Sequence, residues 1–449
     1  MTPKEQRQLV DDHYSLNAAD NFAAAPGLLT DRRRKSMSTT VSSSTATATA
    51  RPSAKDVLAA VRDLQPWLRE HQAAAENERR IPQETVELLD EAGVFQLTSP
   101  RRYGGADFTT RELHDIHRAL GSGCGATGWV VWATAGGNQW STAFADDVVA
   151  PVYQTPWVGN RTFAVGGTSR RMSGTARKVD GGWMIKGAWP FATGSVHASH
   201  GYLAVFYDET DDSKVGMTLV PKASLLQLDD WDAIGLAATG SQTVKTDGEL
   251  FVADDHFSTP TQLSARLSEL NARGVGPRRG GLTRSMIVST GVALGMADNA
   301  MDVFVGGVER RSIPYSPYAR QVDAPITHLT VGQAHTQIRA ASAVADAAVA
   351  QLDRYEVDGT DPSDDETTQL HTDAAYIWDA CSSAVETLYR ASGASAIVKR
   401  QPLQLTVRNC RAGSLHSAFT YDTWVENIGR KLCGVEAEAM SMSVLERRS

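Results

Sequence analysis

Histidines are the side chains of this sequence best suited to acid–base chemistry, because an imidazole gains or loses a proton near neutral pH. His416 stands in a segment of helical spacing near the end of the chain, where it could accept a proton or stabilise a polar oxygen. His114 and His117 lie three apart on a predicted helix beside Asp115, a conceivable metal-ligand spacing. No third ligand converges with them in the sequence, so we expect a solvated helix face and no metal site.

A second kind of chemistry is phosphate binding. The segment Gly235–Ser241 could offer backbone N–H groups and the hydroxyls of Thr239 and Ser241 to a phosphate, although the same residues are also typical of a plain turn. Arg310 and Arg311 are predicted to close the first helix of the C-terminal bundle, and a guanidinium binds two phosphate oxygens at once. An arginine pair at a helix C-terminus also complements the helix dipole, so both interpretations stay open.

Composition excludes several other classes. The chain has 449 residues, 42% of them hydrophobic, and a net charge of −8, which argues against a nucleic-acid-binding surface. No apolar run has the length of a membrane span and the N-terminus does not have a signal-peptide profile, so no membrane partner is expected. Four scattered cysteines without a C-x-x-C pair indicate reduced thiols in a cytoplasmic protein.

The elements that must position these residues change along the chain. Residues 1–52 are rich in Ser, Thr and Ala and are expected to be a disordered segment or leader, with Met37 as an alternative start. Residues 53–160 predict an N-terminal helical domain, from the N-cap Ser53 onward. Apolar residues at helical spacing and Gly or Pro at the boundaries mark four helices there.

Extended patterns replace the helical ones in residues 161–262, which predict a β domain. Val179–Trp183 contains an Asp-Gly pair, the signal of a tight hairpin turn. Residues 275–449 are helical again and predict a C-terminal four-helix bundle whose last helix would run from Leu403 to Leu432. The fold class expected is mainly α with a central, barrel-like β domain.

That order of domains is the layout of the acyl-CoA dehydrogenase superfamily, and three motifs strengthen the resemblance. Val179–Ser195 resembles the family's hairpin that leads into the segment along the flavin ring. Trp231–Ser241 is similar to the family's Trp…Gly-Leu…Thr-Gly-Ser stretch. Val407–His416 resembles the signature of the flavin monooxygenase branch, with Asn409 where the branch has Asp. The resemblance covers about residues 55 to 435.

The resemblance implies roles for particular residues. Thr193 would stand beside flavin N5, where a hydroxyl can restrain loss of peroxide from a flavin C4a-hydroperoxide. His416 would orient oxygen and substrate, helped by Asn138. His197 and His200 flank the flavin loop, and either could contact the pocket. The implied cofactor-binding residues are Trp189, Phe191, Ala192, Thr193, Ser195, Thr239, Ser241, Arg310, Arg311 and Arg408.

The activity implied is that of the oxygenase component of a two-component monooxygenase. It would take reduced FMN or FAD from a separate flavin reductase and oxygenate a small organic substrate with O2 in a dry cavity. No Gly-x-Gly-x-x-Gly segment follows a predicted strand, which fits a protein that leaves NADH oxidation to its partner. A homotetramer is expected from the resemblance and from the Gly- and Ala-rich bundle face.

Two departures keep alternatives open. The Glu base of a dehydrogenase, in a Tyr-Glu-Gly-Thr-type motif, is missing, which disfavours a flavin acyl-CoA dehydrogenase. Asn138 stands where family members that hydroxylate aromatics often place a histidine, which favours an N-oxygenase acting on an amine or amino sugar as a rival. A non-catalytic oligomeric scaffold is the third alternative. Trp129, Trp132 and Trp140 could wall an apolar pocket or pack as ordinary core.

Overall fold

A computed structural model describes residues 53–105, 107–166 and 170–435. The predicted segment 1–52 lies outside these residues. Helices come first, then strands, then longer helices, which confirms the predicted fold class. The first helices are α1 (Ala54–Glu78), α2 (Gln83–Glu91), α3 (Thr110–Gly123), α4 (Gly125–Ser141) and α5 (Asp146–Gln154).

Capping residues fix where the N-terminal helices begin. Ser53 caps α1 by accepting the Asp56 N–H at 3.2 Å, as predicted, and α1 continues through Pro66. Thr109 and Glu112 form a reciprocal capping box at the start of α3. The caps satisfy backbone N–H groups that have no partner within the helix.

The strands form one mixed sheet, with β1 joined in parallel to β4 and β8 antiparallel to β3 beside the main path β6-β7-β3-β2-β4-β5-β9. They are β1 (Thr162–Val165), β2 (Gly174–Val179), β3 (Gly182–Trp189), β4 (His200–Phe206), β5 (Val215–Pro221), β6 (Leu226–Gln227), β7 (Val244–Lys245), β8 (Leu250–Ala253) and β9 (Phe257–Ser258). β2 and β3 make the predicted hairpin, with Val179 opposite Gly182. Within its Asp-Gly turn only Gly181 has a positive φ, 72°.

The remaining helices follow the sheet. They are α6 (Pro260–Ala272), α7 (Gly281–Val305), α8 (Pro325–Asp358), α9 (Asp364–Ala391), α10 (Pro402–Ser414) and α11 (Tyr421–Leu432). α6 was not predicted. α9 begins at Asp364, because Ser363 and Glu366 form a capping box at its start.

The helix predicted from Leu403 to Leu432 is interrupted, so that prediction was wrong. α10 ends at Ser414, and His416 has extended backbone angles of φ −62° and ψ 138°. A short 3₁₀ turn, Ser417–Phe419, follows before α11. The break occurs where the His416 side chain caps this turn, and it places His416 in a bend instead of on a helix face.

α3 and α7 are in very close contact at the centre of one hydrophobic core that contains residues from both helical regions. A Cβ on Gly295 would lie 2.1 Å from the Arg118 carbonyl oxygen, and one on Gly291 would lie 2.5 Å from that of His114. Arg118 also forms a two-pronged ion pair with Asp298, at 2.7 and 3.0 Å. The small residues predicted to permit close packing therefore do so in this helix pair.

Candidate functional site

The loop after β3 contains the first motif's candidate residues. Phe191 has a left-handed backbone, φ 57°, and a ring 58% exposed, in edge contact with Trp231 at 5.7 Å. The Ala192 N–H donates to the Gln242 carbonyl at 3.3 Å and the Gly194 N–H to the Thr239 carbonyl at 3.3 Å. Backbone hydrogen bonds thus join the first motif to the second.

Three hydroxyls connect the same two motifs. The oxygen of Thr193 lies 2.8 Å from that of Ser241, and Ser241 lies 2.7 Å from Thr239. Thr239 donates to the Leu236 carbonyl at 2.7 Å. We call Thr193, Ser241 and Thr239 the hydroxyl chain. Ser241 and Thr239 are buried, and only Thr193 is partly exposed, so the chain ends at the surface of the loop.

The third motif binds the backbone of the second motif through side-chain hydrogen bonds. Asn409 on α10 accepts the Leu236 N–H at 2.7 Å, and this contact holds Leu236 in a left-handed backbone conformation with φ 53°. The Arg408 guanidinium pairs with Glu76 and donates to the Ile234 carbonyl at 2.6 Å. One of its nitrogens, Nη2, is buried without a hydrogen-bond partner. All three motifs therefore meet in one place.

His416 lies against aromatic rings contributed by three segments. Its ring centroid is 5.5 Å from that of Trp129, 5.8 Å from Trp132 and 5.5 Å from Phe419. Trp378 stacks on Phe419 at 5.3 Å. We call Trp129, Trp132, Trp378 and Phe419 the aromatic cluster. Such edge-to-face contacts fix the position of the imidazole.

The His416 imidazole is neutral at physiological pH. Burial lowers its pKa to about 4, yet the residue keeps an exposed surface. Its Nδ1 accepts the Ala418 N–H at 3.2 Å, so the ring proton of the neutral form is on Nε2.

Helix α10 links the hydroxyl chain to the region of His416. Asn409 accepts the N–H of Leu236, the residue at the end of the hydroxyl chain. One helical turn later, a Cβ on Gly413 would lie 3.2 Å from the Trp129 ring, which contacts His416. The hydroxyl chain and the aromatic cluster therefore meet the same face of α10.

Asn138 does not join His416. It is 4% exposed, and its Oδ1 accepts the Thr162 hydroxyl at 2.9 Å. Its position nine residues after Trp129 puts it on about the opposite side of α4. The expectation that Asn138 helps His416 is corrected accordingly: the amide joins α4 to β1.

Three predicted cofactor-binding residues of the first motif are enclosed. The Trp189 ring is 0% exposed and donates its N–H to the Ala204 carbonyl at 2.7 Å, which leaves no ring surface for a ligand. Ala192 is also fully buried, and the Ser195 hydroxyl accepts from the Gln227 amide at 3.0 Å. For these side chains the structure corrects the prediction, because they pack inside the sheet layer.

Arg310 and Arg311 lie in the turn beyond Val305, the last residue of α7, and not within the helix. Arg311 donates to the Val303 and Phe304 carbonyls at 3.4 and 3.2 Å, which satisfies the C-terminal end of α7. The Trp132 indole contacts the other end of α7, at the Ser285 carbonyl. Eighteen residues of helix, about 27 Å, separate the two ends within one chain.

The other histidines have structural partners. His114 and His117 are 1% and 0% exposed, so the expected solvated helix face was wrong: both pack between α3 and α7. His197 contacts the Ile81 carbonyl at 2.8 Å and His200 the Ser199 hydroxyl at 3.0 Å. Among the residues that the structure describes, no three His, Cys, Asp or Glu side chains are grouped to hold a metal ion.

Asn409 and Phe419 are functional candidates that sequence reasoning missed. Asn409 stands inside the quoted third motif, but its backbone partner, 173 residues earlier, has no signal in the sequence. Phe419 lies just beyond the motif, and the predicted continuous helix gave no reason to expect its ring beside His416.

Comparison with known proteins agrees with this arrangement. Residues 52–150 match the acyl-CoA dehydrogenase N-terminal domain and residues 287–421 the C-terminal domain. The flavin-dependent monooxygenase oxygenase subunit HsaA of Rhodococcus jostii (strain RHA1) is 29% identical over 79% of this chain and 92% of that protein.

Solved structures give the same result. The HsaA monooxygenase from M. tuberculosis has a TM-score of 0.75 and 25% identity over 88% of this chain and all of that one (100%). XiaF from a Streptomyces species, solved with FADH2 and glycerol, has a TM-score of 0.78 and 24% identity, covering 87% of this chain and 98% of XiaF.

The two domain matches and the sheet between them define the class as the acyl-CoA dehydrogenase fold. Within that class, the chain belongs to the flavin-dependent monooxygenases, as an oxygenase component. The rival functions are not favoured by these relatives. The N-oxygenase hypothesis also loses its argument, because Asn138 faces β1.

Proposed function

We propose that the chain binds reduced FMN or FAD between the hydroxyl chain and the aromatic cluster and hydroxylates an aromatic substrate there. The observation that carries this proposal is the contact of both groups with one face of α10, through Asn409 and through Gly413. When bound, the reduced flavin supplies the electrons that activate O2.

The side chains present fit a flavin. Its flat ring needs apolar surface and its edge atoms need hydrogen-bond partners. Phe191 and Trp231 offer exposed aromatic surface, and Thr193 offers a partly exposed hydroxyl. Arg408 carries a buried nitrogen with no hydrogen-bond partner, whereas its pairing with Glu76 already neutralises most of its charge. We therefore assign Thr193 to the flavin ring, and we do not expect Arg408 to bind the flavin phosphate.

His416 acts on the substrate side of this site. Because its Nδ1 accepts the Ala418 N–H, the neutral ring carries its proton on Nε2 and can donate it. A neutral donor suits a substrate hydroxyl or an oxygen that becomes negative during the reaction. The aromatic cluster excludes water on the other side of the ring.

An aromatic substrate fits the walls of this region. The rings of the aromatic cluster favour stacked and edge contacts with another flat ring. Gly136 lies one helical turn after Trp132, and a Cβ there would meet no atom within 4 Å. That open space beside Trp132 leaves room for a substrate.

The partners follow from the chemistry. A separate flavin reductase supplies the reduced flavin, O2 is the second substrate, and we expect the enzyme to act in the cytoplasm. The four cysteines are free thiols, as a reducing compartment requires. No helix among the described residues is long and apolar enough to span a bilayer.

A homotetramer would complete the site. Arg310 and Arg311 are remote from the aromatic cluster within one chain, so they could reach a flavin phosphate only in another subunit. Ile326 and Leu329 on α8 are 60% and 56% exposed, which is apolar surface available for such an assembly. Light scattering after size-exclusion chromatography measures the mass directly, and a monomer would contradict this part of the proposal.

The experiment is a single-turnover oxygenation. The protein is loaded anaerobically with photoreduced FMN or FAD and mixed with ¹⁸O2 and a phenol or indole. We expect one ¹⁸O atom in the product, seen by mass spectrometry, and its loss in Thr193→Val. Flavin binding without incorporation of the label into any aromatic probe would refute hydroxylation of aromatics.

A further inference from the structure

The hydroxyl chain has a direction, because each hydroxyl owns only one proton. The Leu236 carbonyl can only accept, so the 2.7 Å contact uses the Thr239 proton. Ser241 must then donate across its 2.7 Å contact with Thr239. Thr193 must in turn donate across its 2.8 Å contact with Ser241. The protons therefore point from Thr193 inward to Leu236.

The end of this chain is fixed by the backbone. Leu236 is 5% exposed, and its left-handed conformation is held by the hydrogen bond from its N–H to Asn409 at 2.7 Å. Reversing the chain would leave the Leu236 carbonyl without the Thr239 proton in a buried setting, which is unfavourable. The direction is thus a property of the folded chain and needs no ligand.

The other possible partner of Thr193 is weak. Its hydroxyl lies 3.5 Å from the Phe191 carbonyl, at the long limit for a hydrogen bond. Ser241, at 2.8 Å, therefore fixes the Thr193 proton, and Thr193 turns lone pairs toward the open side of the loop.

We propose that this proton order makes the site selective for the reduced form of the flavin. The inference rests on the proposed function and on the position of Thr193 beside flavin N5 that the family resemblance implies. Reduced flavin carries a hydrogen on N5 and donates to Thr193, whereas oxidised flavin presents a lone pair there and opposes it. The enzyme thus binds the reduced flavin from its reductase more tightly than the oxidised flavin. The preference is set by the buried hydroxyls of Ser241 and Thr239, which need not contact the ring.

Equilibrium binding tests this without turnover. Dissociation constants for oxidised and photoreduced FMN and FAD are measured anaerobically in the wild type, Ser241→Ala and Thr239→Val. Ser241→Ala removes the acceptor of the Thr193 proton, and Thr239→Val frees the Ser241 proton to point toward Thr193. Each variant should lower the ratio of oxidised to reduced dissociation constants by about tenfold, the value of one well-formed hydrogen bond.

Conservative and distant variants serve as controls. Thr239→Ser keeps the hydroxyl and should keep the wild-type ratio. Thr218→Val removes a buried hydroxyl of β5 that donates to Leu203 at 3.3 Å, and it should also leave the ratio unchanged. Circular dichroism establishes that each variant is folded. Ser241→Ala and Thr239→Val interrupt the hydroxyl chain at two different hydroxyls, so each tests the proton order separately.

The outcomes separate the two proposals. A lowered ratio in Ser241→Ala and Thr239→Val, with the ratio kept in Thr239→Ser, supports the proton order. Binding of both flavin forms with an unchanged ratio in both variants overturns the inference and leaves the proposed function standing. A wild type that binds neither flavin form overturns both.

Discussion

At the scale of single residues, the state of His416 determines what it can do. A histidine with its ordinary pKa of about 6.5 would be partly charged near that pH and could serve as an acid or a base. Here burial keeps the pKa at about 4, and the cap on Ala418 fixes the tautomer. The residue is a neutral hydrogen-bond donor whose orientation depends on one backbone N–H.

The variant His416→Asn separates two roles of the side chain, the capping of the Ala418 N–H and the donation of the Nε2 proton. Asn is a good capping residue, so the free energy of unfolding of His416→Asn should lie within about 0.5 kcal/mol of the wild-type value. His416→Ala should lower the free energy of unfolding by about 1 kcal/mol. Both should lower the yield of hydroxylated product per flavin oxidised, because both lose the Nε2–H. Thermal unfolding and product quantification check this. His335→Asn, on an exposed part of α8, is the matched control, and an unchanged yield in His416→Asn would contradict the donor role.

At the scale of elements, the contact between α3 and α7 sets the frame on which α4 lies. The two helices touch backbone to backbone at Gly291 and Gly295. A side chain there cannot be accommodated by rotamer changes, because the neighbouring atoms are carbonyl oxygens and amide nitrogens. Close approach of these helices is therefore a requirement of the fold and not only a preference.

Gly295→Ala should destabilise the protein by about 2 kcal/mol or more, since overpacking forces the backbones apart. Gly429→Ala is the matched control: this residue lies in α11, and a Cβ would meet nothing within 4 Å. The control should be stabilising by about 0.5 to 1 kcal/mol, the helix propensity difference. Chemical denaturation measures both, and equal effects would mean that the contact with α3 yields easily.

What the sequence could predict at this scale depends on how local the signal is. The Asp-Gly hairpin, the Ser53 cap and the motif order are local, and they led to the correct fold and to Thr193 and Ser241 as candidate residues, but not to their contact with each other. The break at His416 depends on an imidazole capping a turn and on rings from α4 and α9, which no window of sequence contains. The role expected for Asn138 was wrong for the same reason: its partner Thr162 lies 24 residues later, on a strand.

At the scale of the whole molecule, buried histidines make stability depend on pH. His117 is fully buried, and its pKa falls from 6.5 to about 4 on folding. Between these values the unfolded chain binds a proton that the folded chain does not, so the free energy of unfolding decreases as the pH falls. Burial also lowers the pKa of His200 and His371 to about 4.

The free energy of unfolding should therefore decrease from pH 6.5 toward pH 4, and His117→Gln should reduce the slope by about 1.4 kcal/mol per pH unit. Aspartates whose pKa is raised by partial desolvation act in the opposite sense; they are Asp90, Asp373 and Asp379. The difference between variants is therefore the decisive quantity. Urea unfolding at several pH values measures it, with His335→Gln on the exposed face of α8 as control. Equal slopes for wild type and His117→Gln would disprove the account.

Phe191 is a residue that selection for stability alone would replace. A large residue in a left-handed backbone with most of its ring in water is conformationally costly twice over. Glycine would relieve both costs, so Phe191→Gly should raise the melting temperature while weakening flavin binding, which thermal melts and flavin titration of the same preparation would measure. Engineering of this protein for thermostability, by consensus design or heat selection, must therefore keep Phe191 unchanged. Otherwise it will yield a more stable variant that no longer binds the flavin.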